Sequence, residues 1–141
     1  MINDKQMLNY IRKTAEMGQI GIDSVLKHVE GGNFRSALEQ QYIEYDKIVS
    51  QADKLISDMG AETQEVGMTA KTSAQMMTFF QTLNDSSESK IAEMMIMGNS
   101  SGVAKSIKHI NDYNGNGDVA RLANQLLKTE QANIEQMKKF L

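Results

Sequence analysis

Apolar positions recur every three or four residues along most of this chain. Near its start Leu8, Ile11, Ala15, Gly18, Ile22, Val25 and Val29 fall on one line. That spacing puts side chains on one face of an α-helix and predicts a helix over about 4–30, roughly 40 Å long. Asn3 or Asp4 can cap its start by accepting backbone N–H bonds. Gly31-Gly32 can end it, because glycine takes the left-handed C-cap conformation cheaply. A second line, Phe34, Leu38, Gln41 or Tyr42, Tyr45, Ile48 or Val49, Ala52, Leu55 or Ile56 and Met59, predicts a helix capped by Asn33 and stopped by Gly60. Two or three residues of connection leave an antiparallel hairpin as the arrangement of the pair.

The stripe weakens from residue 61. Val66, Thr69 or Ala70, Ser73, Met76 or Met77, Phe80 and Leu83 suggest a helix over 62–83, with a break at Asn84-Asp85-Ser86-Ser87. A helix over about 87–112 carries Ile91, Met94 or Met95, Gly98, Gly102, Ile107 and Ile110. Its small residues Gly98, Ser101, Gly102 and Ala104 imply close helix approach or a local distortion, since glycine costs about 1 kcal/mol against alanine inside a helix. After a loop at Tyr113–Gly117, a last helix from Asp118 carries Val119, Leu122, Leu126, Ile134, Met137 and Leu141. The stretch Gly21–Val29 is echoed by Gly102–Ile110, with Gly, Lys and His in register, which suggests a duplicated helical hairpin. The expected fold is all-α. It is one domain over 1–141, an up-down four-helix bundle of hairpins 4–59 and 87–141 joined by a crossover helix 62–83.

Composition supports this. The 141 residues include no proline, where average usage of ~5% would supply about seven. There is no cysteine, which excludes disulfides, thiolate nucleophiles and cysteine-ligated zinc. Net charge is −3 and the 15 basic residues are scattered, which argues against a nucleic-acid face. No run of 18 apolar residues spans a membrane, and no signal peptide is recognisable, so a cytoplasmic location is expected.

Two stretches carry a family resemblance. One is Ile91-Ala92-Glu93-Met94-Met95-Ile96-Met97-Gly98-Asn99-Ser100-Ser101-Gly102-Val103. The other runs from Leu122-Ala123 through Glu130 to Ile134-Glu135-Gln136-Met137-Lys138-Lys139-Phe140-Leu141. Together they resemble a ferritin-like bundle family with the signature Met-Ile-x-His-His-x-x-Ala-Ile, followed by a helix ending Glu-Ile-x-x-Met-x-x-Trp-Leu. Uncharacterised bundle proteins of anaerobic Firmicutes are similar too. The resemblance implies a ferritin-like fold, and copper for some members. Here Gly98 and Asn99 stand where the family has its paired histidines, and neither replaces imidazole as a soft-metal ligand. Methionines such as Met95 and Met137 remain.

Di-iron sites in bundles use Glu from two helices and Glu-x-x-His from two more. Neither His28 nor His109 has that motif. A metal-binding alternative would use the inward or near-inward acids Glu16, Glu44 and Glu130 with His28 and His109, holding iron, manganese or copper. Glu130 stands out because it lies on the line from Leu126 to Ile134, where an apolar residue is expected. At the edge of that stripe it would reach solvent or bond Tyr42 or Tyr45. The histidines also suit helix C-termini, where a cation favours the dipole. Asp112–Asp118 matches the first half of a calcium loop, but its twelfth position is Ala123 where the loop needs Glu. Asn and Gly there equally suit a tight turn. Met76, Met77, Met94, Met95 and Met97 suggest core filler, a thioether site or an exposed face for a partner. No nucleophile has a recognisable base beside it. The leading expectation is a non-enzymatic protein without a cofactor, acting through protein–protein contact or self-association.

Overall fold

The computed structural model describes residues 1–60 and 86–141. Four helices carry the fold: α1 (Asp4–Leu26), α2 (Asn33–Asp58), α3 (Glu88–Asn111) and α4 (Asp118–Lys138). The sole extended pairing among the described residues is an isolated bridge between Ile2 and Tyr113. The expected helix over 62–83 lies outside the described residues.

The pairs α1–α2 and α3–α4 form the two hairpins, and α4 packs on all three other helices. By contrast, α3 rests on α4 and meets α1 only lightly. The predicted lines of α1 and α2 form most of the core, although Met59 at the end of the second line is exposed. Leu8, Ile11, Ala15, Ile22, Val25, Leu38, Ile48, Ala52 and Ile56 are almost wholly buried, joined by Val119, Leu122, Leu126 and Met137 of α4. Their apolar area removed from water is the main favourable term in holding the bundle.

Helix ends differ from expectation in two places. Asn3 does cap α1, in a full capping box with Gln6. However, α1 stops at Leu26, four residues before the expected end. The Arg35 guanidinium donates to the carbonyls of Leu26 (3.0 Å) and Val29 (2.7 Å), so a side chain from the next helix takes up carbonyls that a further turn would have used. Asn33 is the first helical residue of α2, not its cap. The cap is Gly32, at φ 107°, a backbone conformation that only glycine enters without strain. Ser87 caps α3 by accepting from the Lys90 amide.

The inward line of α3 also differs. Ile91, Ala92 and Met94 are buried, but further along the buried positions are Asn99 and Ser106. Gly98 and Ile107, expected inward, face out. A polar layer therefore crosses the bundle where periodicity predicted an apolar seam.

A buried polar layer as candidate functional site

All four helices contribute to this layer. Glu130 of α4 is 2% exposed and Ser106 of α3 is 1% exposed. The Ser106 hydroxyl donates to Glu130 Oε1 at 2.7 Å. Ser106 Oγ also lies 3.0 Å from the Tyr10 hydroxyl of α1, where either oxygen can donate. The other carboxylate oxygen, Oε2, lies against Gly102. A Cβ at Gly102 would run into it, so glycine there makes room for the acid.

A second set of bonds lies one turn further along α4, from Glu130 to Asn133, and two turns back along α3, from Ser106 to Asn99. The Tyr45 hydroxyl of α2 donates to Asn99 Oδ1 at 3.0 Å and accepts from Asn133 Nδ2 at 3.2 Å. Asn99 spends its amide hydrogen on the Met95 carbonyl at 2.9 Å. Tyr45 thus uses both its donor and an acceptor, as a buried phenol must.

The electrostatics follow from burial. Loss of water pushes the Glu130 carboxyl up to about 7, and the Ser106 hydrogen bond offsets only part of that rise. No ion pair to Glu130 forms among the described residues. Tyr45 is held well above the ordinary phenol range, first by burial and then by the nearby Glu130 charge. Tyr10 is raised by burial as well.

The five acids and histidines singled out in the sequence do not come together. Glu16 pairs with Arg12 at 2.8 Å, and Arg12 also pairs with Asp53. Glu44 sits on the outside of α2, bonded by Lys47 (3.0 Å) and by Gln40. His28 is exposed in the turn after α1. His109 stacks on Tyr10, with ring centroids 3.6 Å apart and planes 7° apart. Its Nδ1 lies 2.8 Å from the Lys105 carbonyl, so that nitrogen carries the proton. Tyr10 is eighteen positions before His28, so the two histidines are separated by roughly 25 Å along α1. Of the five, only Glu130 is in the core. It does not reach solvent there, so of the two positions open to it the inward one holds. Among the described residues no three His, Cys, Asp or Glu side chains lie close enough together to hold a metal ion.

The methionines are dispersed too. Met94 is in the core, Met95 is partly buried against it, and Met97 is exposed. At 100° per residue, Met95 and Met97 point nearly opposite ways and cannot form one face. Met76 and Met77 lie outside the described residues. In the Asp112–Asp118 loop, Asp112 is the C-cap of α3, Gly117 (φ 76°) caps α4, and Asp118 pairs with Arg121.

Comparison with known proteins adds one fact. The fold is similar to that of a DUF305 fragment. The crystal structure of that fragment, from Deinococcus radiodurans, matches with a TM-score of 0.74 at 15% identity, over 96% of this chain and 93% of that one. Likeness at this identity shows the fold alone, a helical bundle. No family model matches the chain, so the ferritin-like signature read over residues 91–141 has none behind it. No curated protein matches it either.

Several of the layer's residues escaped the sequence reading. Tyr10, Ser106 and Asn133 carry no motif, and Asn99 drew notice only as the residue standing where the resembled family has a histidine. The available signal was indirect: Glu130 on an apolar line, and an α3 whose buried side contains few apolar side chains.

Proposed function

We propose that this is a non-enzymatic helical-bundle protein that works through its outer surface, with self-association as the first contact to test. The observation that carries this reading is the free side of α3. Met97 (58% exposed) and Ile107 (41% exposed) stand out from it, with the small exposed residues Ser100, Ser101 and Ala104 between them. Two large apolar side chains standing out of a strip of small residues suit close approach of another helix. The core layer supports the same reading. Its one hydroxyl–carboxylate pair, Ser106 with Glu130, is shut away from any substrate.

Sedimentation velocity across the micromolar range tests it. The wild-type chain should associate, and a Met97→Asp, Ile107→Asp double variant should be a folded monomer. A wild-type monomer throughout would retire the reading. Stoichiometric iron, manganese or copper in chelator-free protein would replace it with the metal-binding alternative.

A further inference from the structure

We propose that Glu130 is a proton-operated latch between α3 and α4. When neutral it closes the pair; when ionised it draws water to the Ser106–Gly102 crossing and loosens α3.

The geometry supplies the two states. A buried carboxylate is at ease only when several donors or a cation face it. Glu130 faces Tyr10 from α1, Tyr45 from α2 and Ser106 from α3, with the His109 imidazole one ring further out, stacked on Tyr10. No ion pair forms at it among the described residues, and Ser106 alone donates to it there. Oε2 packs on the bare Cα of Gly102, where no side chain can donate. The ionised form is therefore under-solvated as long as the helices stay closed.

The neutral form fits without movement. Tyr10, Ser106 and Glu130 make a line of oxygens at 3.0 and 2.7 Å. With Glu130 ionised, Tyr10 donates to Ser106 and Ser106 donates to Oε1. With Glu130 neutral, the line reverses: the acid donates to Ser106, which donates to the Tyr10 oxygen. Tyr10 is only half-buried, so the proton's path to the surface is two hydrogen bonds long. Burial places the acid near neutrality, so both forms are populated there.

The part that yields is α3. It is held by α4 and meets α1 only lightly, whereas Glu130 stands on the helix that touches all the others. Its N-terminal half is pinned through Asn99 to Tyr45 and its C-terminal end by the Ile2 amide donating to the Asp112 carbonyl, which confines the opening to the turns around Gly102–Ile110.

The test is amide hydrogen exchange in EDTA-treated full-length protein at about pH 5.5 and about pH 8, as protection factors corrected for intrinsic rate. Protection of residues 102–110 should fall about tenfold or more at the higher pH in the wild type. It should not fall in Glu130→Gln, which stays neutral. Carbon-13 titration of the wild-type Glu130 carboxyl should follow the same midpoint, near 7. This second measurement needs no variant to fold. Unchanged wild-type protection, a fall that persists in Glu130→Gln, or a carboxyl midpoint below about 5 would each overturn the proposal.

Discussion

Gly18 of α1 and Tyr45 of α2 fit as a matched pair. A Cβ on Gly18 would lie 2.6 Å from the Tyr45 ring. The ring cannot easily retreat, because its hydroxyl is tied to Asn99 and Asn133. Gly18→Ala should therefore destabilise the fold by about 1–3 kcal/mol in urea unfolding, although alanine is the better helix former by ~1 kcal/mol. Gly98→Ala is the contrast. Nothing lies within 4 Å of a Cβ there, and the substitution should stabilise by about 0.5–1 kcal/mol.

Removing the Tyr45 hydroxyl should be costly out of proportion to its size. Tyr45→Phe leaves Asn99 without a donor and Asn133 without an acceptor in a dry layer. A loss of about 1–3 kcal/mol is expected, read by denaturant midpoint at constant m-value.

Glu130 makes stability depend on pH with a definite sign. Its carboxyl titrates at about 7 when folded, against 4.5 ordinarily. Between those values the folded chain holds a proton that the unfolded chain has released, so stability falls as pH rises through the window. This contribution is complete below about 4.5 and gone above about 7. Glu130→Gln should flatten that slope and exceed wild-type stability at about pH 8 by about 1–3 kcal/mol, as urea unfolding at a series of pH values would show.

Arg12 is buried between two acids that keep some access to water, Glu16 and Asp53. Arg12→Met should cost about 1–2 kcal/mol, less than the 3–5 typical of a fully enclosed pair, because both stranded carboxylates can rehydrate. A matching change in thermal midpoint checks this, and it should depend only weakly on salt.

How much of this was legible beforehand depends on what fills the interior. On α1 and α2 most inward residues are aliphatic or aromatic, Arg12 and Gln41 excepted, so three-and-four spacing located them, and the line from Leu8 to Val29 lies inward. On α3 the same rule failed. Asn99 and Ser106 are inside while Met97 and Ile107 are outside, so polarity misreports direction wherever a hydrogen-bonded layer replaces packing. Glu130 was conspicuous as an acid on an apolar line. Its partner Ser106 lies on another helix 24 positions away, and such pairing leaves no trace in local periodicity. The early stop of α1 was hidden for a similar reason: Arg35, from the following helix, takes the carbonyls.

At one end of the bundle the Ile2 amide donates to the Asp112 carbonyl, and the Tyr113 hydroxyl donates to Asp4 across 109 positions of sequence. Neither hairpin can make these bonds alone, so the clasp closes only once both have docked. A spectroscopic probe at Tyr113 would therefore time the final assembly step, while one inside α1–α2 would record an earlier event.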